Sequence, residues 1–375
     1  MHWRLICDEN VSASFGLAAD EVLTKHIGQG KSIPVLRLYS YKNYSALVGR
    51  FQEVESELNV DFCRKKEIAI NRRPTGGGAI FMGEDQLGIA MCIPGKSDDN
   101  YGRARELMGH FSEGIINGLN SIGVPAQFRR KNDIEVNGKK IAGLGIYRDN
   151  SGGLLFHSSL LVDMDIEMML NVLNTPFEKI SDKEVDTVSK RITTVFKETN
   201  SHINMAEMRK CIAGGFKSSL NISLSESSFA ETEKREIAIL EKEKYAQQDW
   251  IYQTPQVKDA IGTAKLKTEK GLLDIRLTLA GQQIKALFIR GDFFAGENAV
   301  ADLEGSFRWH STNQQKIELT LDKVYKLRKN ELASLPLGAL KKAITLALNR
   351  ARVLEKKQSS EPYGCFVTPG GRVHV

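Results

Sequence analysis

Arg72-Arg73-Pro74-Thr75-Gly76-Gly77-Gly78-Ala79-Ile80-Phe81 combines residue types suited to holding an anion. Three consecutive glycines leave a loop without Cβ atoms, so backbone N–H groups can approach a ligand and φ can turn positive. Two guanidinium groups that keep their charge stand directly before it. Donor-rich backbone beside fixed positive charge suits a phosphate or a carboxylate. Taken alone, the three glycines read more readily as a glycine-rich hairpin with solvated arginines. A second group lies in Asn132-Asp133-Ile134-Glu135-Val136-Asn137-Gly138-Lys139-Lys140-Ile141-Ala142-Gly143. Asn-Gly between two β-type runs predicts a two-residue hairpin turn. That register pairs Val136 with Lys139, Glu135 with Lys140, Ile134 with Ile141 and Asp133 with Ala142. Ile134, Val136 and Ile141 then share an apolar face, with Asp133, Glu135 and Lys140 on the other. Lys140, held mid-strand, either points into a site or pairs with Glu135, an exposed pair worth less than about 1 kcal/mol. His157, in the apolar run Leu154 to Val162, either touches a ligand or is a hydrogen-bonded core residue.

The elements that would position these groups follow from patterning. Ile68 to Ile70 and Ala79 to Met82 flank the glycines as strand, loop, strand. A helix over Leu17 to His26 follows an opening strand, since Leu17, Val22 and Leu23 recur at helical spacing. Pro34 to Tyr41 alternates as a strand, Ser45 to Gln52 runs from strand into polar loop, and Val60 to Lys66 is helical. Leu87 to Ile93 reads as a core strand, and Asp98 to Ile122 as a long helix with a stripe of Leu107, Phe111, Ile115 and Leu119. Gly152 and Gly153 turn the chain into the strand that carries His157, and Phe229 to Tyr245 reads as a charged connecting helix. From Asp249 to Tyr252 onward, short runs with turns between them predict an antiparallel meander, closed by helices ending near Arg352. The expected class is α/β (α+β). A large domain, 1–248, has a mixed or antiparallel sheet flanked by helices; a small α+β accessory domain, 249–352, and a tail, 353–375, follow. Lys341, Lys342, Arg350, Arg352, Lys356 and Lys357 face only Glu355 on the last helix, which is either a solvated face or a surface for an acidic partner. The tail carries Tyr363, Cys365, Phe366 and Val367, and its sequence leaves its conformation open.

Composition narrows the function classes. With 375 residues, 41% hydrophobic and 26% charged, the chain is ordinary globular material able to bury a full core. No apolar run approaches the roughly 18 residues of a membrane helix, and the start lacks an apolar signal segment, so a cytoplasmic protein is expected. Cys7, Cys63, Cys92, Cys211 and Cys365 are odd in number and without close pairs, which argues against a zinc ribbon or a disulfide framework. A net charge of +6 falls short of a nucleic-acid footprint. The glycines are not followed by Gly-Lys-Ser/Thr, so there is no Walker loop.

Together, Arg72 to Phe81, Asn132-Asp133, Gly138 to Gly143 and His157 resemble the lipoate–protein ligase A family. Its RR[ST]xGGGAVF, NDL, GRKxSG and later His-Gly-Thr elements occur in this order at nearly this spacing. Gly49-Arg50-Phe51-Gln52 is similar to the family's GRxQ segment, and Ser189-Lys190-Arg191-Ile192-Thr193 to its SRVTN segment. The resemblance extends over most of the chain, Asp249-Trp250 and Gly271 to Ala280 being similar to the family's accessory domain. It implies a two-step ligase. Lipoate and MgATP give lipoyl-AMP and pyrophosphate, and the lysine amine of a carrier then displaces AMP. Lys140 and Arg73 are the implied catalytic groups. Nucleotide and lipoyl-AMP contacts are implied for Arg73, Thr75, Gly76, Gly77, Gly78, Ala79, Phe81, Asn132, Asp133, Lys140, Ala142, Gly143 and His157, with Asp133 near Mg²⁺. Phe81, Ala142 and Leu144 are expected to line a tunnel for the lipoyl tail. The implied partner is a lipoyl domain or a glycine-cleavage-H-like protein; no nucleic acid or membrane partner is expected, and the protein is expected to be a monomer.

Departures from the family pattern mark a divergent subclass. Met82-Gly83-Glu84-Asp85-Gln86-Leu87 replaces His-Asp-x-Gly-Asn, with Asp85 or Gln86 as the substitute for any lost nucleotide contact. Pro74 replaces Ser, Leu144-Gly145 replaces Ser-Ala, and Ser158-Ser159 replaces Gly-Thr. An octanoyl or lipoyl transferase of the same fold, working through a cysteine thioester, is the alternative enzyme. Those relatives carry the cysteine near or after the Lys-Ile-x-Gly segment, and none occurs here between Cys92 and Cys211. A biotin ligase is disfavoured because its Gly-Arg-Gly-Arg-x-Gly-Arg signature is missing. A non-catalytic relative that grips lipoyl carriers is the reading from another class.

Overall fold

The computed structural model describes residues 1–96, 103–129, 132–174, 190–253 and 261–360, with side chains up to residue 354 in the last segment. The chain divides into two compact units, Met1–Thr254 and Pro255–Val375. Among the described residues of the first, eleven strands are formed: β1 (His2–Val11), β2 (Val35–Tyr41), β3 (Ser45–Val48), β4 (Ala69–Arg72), β5 (Ile80–Met82), β6 (Gln86–Pro94), β7 (Gln127–Arg129), β8 (Asp133–Val136), β9 (Lys139–Arg148), β10 (Gly153–Leu161) and β11 (Ser223–Glu226). Eight make one sheet in the order β11-β1-β2-β6-β10-β9-β8-β7, and β4-β3-β5 make a small second sheet. β1 runs parallel to β2 and β11, while β2, β6, β10, β9, β8 and β7 pair antiparallel in turn. The sheet is therefore mixed.

Helices cover both faces of the large sheet, which is why its central strands are apolar on both sides. Along β10, Leu155 joins the core beneath the helix Ala13–Gly28, together with Leu17, Val22 and Leu23. The next residue, Phe156, points the other way and meets Phe111 of the helix Ala104–Asn120 edge to face at 5.7 Å. This period of two places His157 and Ser159 on the face of Leu155. The helix at 13–28 starts at Ser12, whose hydroxyl accepts from Phe15 N, an N-cap that satisfies one of the orphan donors of the first turn.

The second unit holds β12 (Ile261–Thr268), β13 (Gly271–Ala280), β14 (Gln283–Gly291) and β15 (His310–Ser311) as an antiparallel sheet in that order. Its helices are Glu297–Ser306, Gln314–Leu327 and Leu337–Ser360. The last runs past Arg352, where its end was expected. Its basic face is not simply solvated. Lys341 pairs with Asp322 at 2.7 Å, Arg350 donates to Thr263 O and Arg352 to Thr312 O. Lys356 and Lys357 lie outside the described side chains, as does the tail with Tyr363, Cys365, Phe366 and Val367.

Several expectations are corrected by tertiary pairing. β4 and β5 do not form a hairpin around the glycines; β4 pairs parallel with β3, and β5 antiparallel with β3. The loop therefore crosses over one strand instead of reversing between neighbours. Asp249 to Tyr252 is not the first strand of a meander. Gln248–Tyr252 is a short helix of the first unit, with Ile251 packed among Val54, Leu58 and Phe81. Phe229 to Tyr245 is more than a connector, because Ile237 and Tyr245 enter the core of the large sheet. The long helix is described from Ala104, so Asp98 to Tyr101 fall outside the described residues, as does Ser189.

Candidate active site

Most of the sequence-predicted groups line one cleft between the glycine loop and the strands β9 and β10. Its walls include Arg73, Gly76, Gly77, Gly78, Ala79, Asn132, Lys140, Gly143, Leu144, Gly145, His157 and Ser159. It encloses about 610 Å³ of non-atom space, open solvent included.

The β8–β9 hairpin sets the cation of the site. The turn keeps Val136 opposite Lys139 and Glu135 opposite Lys140, but a bulge then puts Ala142 opposite Ile134 and Gly143 opposite Asp133. Positive φ at Asn137 (49°) and Gly138 (79°) is the geometry such a two-residue turn demands. The predicted pairs Ile134–Ile141 and Asp133–Ala142 are thus each displaced by one residue. In a regular strand, residues 140 and 143 would face opposite sides; the extra residue brings them together. Lys140 Nζ lies over Gly143 and pairs with Asp133 Oδ1 at 2.7 Å. Its ion-pair partner is therefore Asp133 and not Glu135, the residue opposite it, which lies 3.7 Å from Arg129 Nε. The backbone of Lys140 is pinned as well. Its N–H donates to Arg191 O at 2.9 Å, and its carbonyl accepts from Thr193 N at 2.8 Å.

The glycine loop is shaped from beneath. Arg73, 5% exposed, donates to Leu47 O and to Gly78 O, each at 2.7 Å. Two of its nitrogens thus serve the backbone, and burial pulls its pKa down to about 10. Arg50 N donates to Thr75 O, and Thr75 Oγ1 hydrogen-bonds His157 Nε2 at 2.9 Å. Arg72 faces away from the cleft, fully buried, and donates to the carbonyls of Gly49, Arg50, Gln52, Trp250 and Ile251. Neither arginine is solvated. A methyl at residue 145 would come within 2.5 Å of His157 Nε2. Glycine at 145 is what lets His157 reach Thr75.

His157 is both cleft wall and core residue. Burial, with Arg73 nearby, pushes its pKa down to about 3, so it is neutral through the working range. Below its ordinary value near 6.5 the unfolded chain takes up a proton that the folded one refuses. The stability His157 contributes is therefore complete above about pH 6.5 and is lost as pH falls towards 3. His157→Gln is expected to flatten this acid limb, as read from urea midpoints between pH 4 and 8. An unchanged limb would assign the acid sensitivity to other groups.

Other expected site residues take different places. Phe81 does not line the cleft; it stacks on Tyr44 at 4.6 Å in the core behind β5, while Ile80 and Met82, one residue to either side, face the cavity. Ala142 is fully buried and contributes no wall. Thr75 and Asp133 act one layer back, through His157 and Lys140. Asn132 donates to Leu144 O at 3.3 Å and accepts from Leu144 N at 2.8 Å. Asp85 and Gln86 are not among the walls of this cleft. Gln86 closes the turn onto Gly83 N and Asp85 Oδ1, and Asp85 accepts from Tyr44 Oη, with burial raising its pKa to about 6. The inner wall, built from Leu17, Tyr39, Tyr41, Leu47, Ile80 and Met82, went unassigned from sequence. The period-two alternation Tyr39-Ser40-Tyr41 and the flanks of Phe81 were the available signals.

Among the described residues, no group of three or more His, Cys, Asp or Glu side chains converges to hold a metal. No described helix is long and apolar enough to cross a membrane. None of the four described cysteines lines the cleft. Cys92 is buried beside Thr24 Oγ1, and burial pushes its thiol up to about 12.

The family model for the lipoyl protein ligase A/B catalytic domain matches residues 12–217. Octanoyltransferase LipM of Bacillus subtilis is 26% identical over 273 residues, covering 67% of this chain and 98% of the relative. The solved structure of an archaeal lipoylation system, a bi-partite lipoate protein ligase and its E2 lipoyl domain from Thermoplasma acidophilum, matches with a TM-score of 0.61 and 27% identity. It covers 69% of this chain and 99% of that one. A crystal structure of lipoate-protein ligase A bound with ATP matches with a TM-score of 0.59 and 26% identity, covering 67% and 99%.

Proposed function

The chain belongs to the lipoyl protein ligase A/B catalytic-domain family, and we propose that it works within it as an ATP-dependent lipoate–protein ligase. The observation that carries this reading is the convergence of Lys140, Asn132 and the Gly76–Gly78 loop on one cleft without a thiol among its described walls. In the first step a lipoate carboxylate oxygen attacks the α-phosphorus of ATP and pyrophosphate leaves. Both reactants are anions, so the barrier is largely electrostatic. Lys140, steered by Asp133 and pinned through its backbone to residues 191 and 193, screens the approach and stabilises the charge that develops on the phosphoryl oxygens. The loop supplies N–H donors, and Arg73 holds its shape. In the second step the acceptor lysine amine attacks the acyl carbonyl, AMP leaves, and an amide remains. Mg²⁺ would arrive with the nucleotide, for which a single carboxylate such as Asp133 suffices; it would neutralise phosphate charge. The acceptor in this reading is a lipoyl domain, by analogy with the archaeal system.

A thioester-forming octanoyltransferase is the second reading, favoured by the likeness to LipM. It needs a reactive thiolate in reach of the acyl group. The two readings separate by isotope exchange. Wild-type protein with lipoate is expected to catalyse ATP–pyrophosphate exchange, and Cys92→Ala and Cys211→Ala to retain it along with acyl transfer. Absent exchange, together with transfer lost in a cysteine variant, would establish the transferase instead.

A further inference from the structure

The inner wall of the cleft carries a donor that neither the adenylation step nor the core explains. Tyr41 is 1% exposed and lines the cavity. Its hydroxyl neighbours that of Tyr39 but makes no hydrogen bond of acceptable geometry. Tyr39 is already committed: its hydroxyl donates to Asp20 Oδ2 at 3.4 Å, and its ring lies under the Arg37 guanidinium at 4.2 Å. The position of Tyr41 is built. A methyl at residue 16 would come within 2.8 Å of its Cε1 atom, so glycine there makes room for the ring. A buried hydroxyl without a partner costs stability, and such groups persist where a ligand completes them.

The orientation of the bound acid follows from exposure. Lys140 is 36% exposed and Asp133 20%, whereas Tyr41 and Arg73 are buried. The carboxylate must meet a bulky nucleotide, which only the open end accommodates, so the acyl tail points inward. There it meets Leu17, Leu47 and Met82, but also the side chains of Tyr39 and Tyr41, whose ring centroids are 5.6 Å apart. A plain alkyl terminus would leave the hydroxyl unpaired. A terminus bearing ring sulfurs offers polarisable atoms for the aromatic edges and a weak acceptor for the hydroxyl.

We propose that Tyr41 is a specificity-determining residue, its hydroxyl donating to the inner end of the bound acid and favouring an eight-carbon tail with ring sulfurs over a simple alkyl tail. This rests on the reading of the cleft as the acid's binding site. The test uses the full chain, without ATP, and measures Kd for lipoate and for octanoate by calorimetry on wild type and Tyr41→Phe. Wild type is expected to prefer lipoate, and Tyr41→Phe to reduce that preference by about tenfold, the scale of one lost hydrogen bond in a site built for it. A merely structural role would move both Kd values together, so an unchanged ratio overturns the proposal while leaving the cleft's assignment intact. Wild type that binds neither acid overturns both. Tyr41→Leu, which also removes the aromatic edge, is expected to lower the ratio further; a ratio restored to the wild-type value in it would equally refute the role of the hydroxyl.

Discussion

Lys140→Ala is expected to lower lipoate-dependent ATP–pyrophosphate exchange by about 10²–10³-fold, the usual effect of deleting one preorganised charge at a transition state. The expectation comes from geometry more than from residue type. Lys140 is held at three points: Asp133 grips its ammonium, and residues 191 and 193 bond its N–H and carbonyl. An ammonium fixed this way does not have to reorganise as charge builds on the α-phosphate. Lys140→Arg keeps the charge but replaces a compact ammonium with a planar fork, so only partial activity is expected from it. Lys139→Ala is the matching control beside the turn, with little change expected. Exchange in Lys140→Ala within a factor of about three of wild type would leave Lys140 as a surface ion pair, since an exposed pair contributes at most about 1 kcal/mol.

Arg72→Ala is expected to destabilise the first unit by roughly 3–5 kcal/mol, because several buried carbonyls lose their donor at once. Its guanidinium bonds five carbonyls at 2.6–3.0 Å, three in the Gly49–Gln52 turn and two at Trp250 and Ile251. Trp250 Nε1 returns a bond to Arg72 O at 3.1 Å. One side chain thus ties the glycine loop's supporting turn to the helix Gln248–Tyr252, far along the chain. Arg72→Lys is expected to recover only part of the loss, since an ammonium has three donors and cannot span both groups. Urea unfolding followed by far-UV dichroism reads the effect as a lower midpoint at constant slope. A shift worth less than about 1 kcal/mol would mean that water replaces the guanidinium, and that the residue is not a structural clamp.

Much of the site is legible in the chain because it lies in short segments with local signals. Three glycines cannot support a core, so Gly76 to Gly78 had to be a loop or a turn. Asn137-Gly138 dictates a hairpin wherever it falls between β-type runs, and that hairpin delivers Lys140 whatever surrounds it. The alternation along β10 places His157 on a definite face. These features depend on φ, ψ and period alone.

Tertiary structure decided the rest. Arg72 and Arg73 are adjacent and chemically identical, and nothing local says that one clamps five carbonyls while the other shapes the cleft wall. Desolvation settles that, because a buried guanidinium takes whichever acceptors the packed backbone presents. The bulge at Ile141, invisible in the spacing, moves Gly143 onto the face of Lys140 and exchanges Glu135 for Asp133 as its partner. For the same reason Phe81, expected in the wall, packs in the core behind β5, and Tyr41, unassigned from sequence, takes a place in the wall. The strand's alternation can be read, but which face meets the cleft depends on the helix packed against the sheet. The sequence by itself determined the chemistry at hand and the segments bearing it; long-range packing decided which of those groups point inward, what each holds, and how the inner end of the cleft is walled.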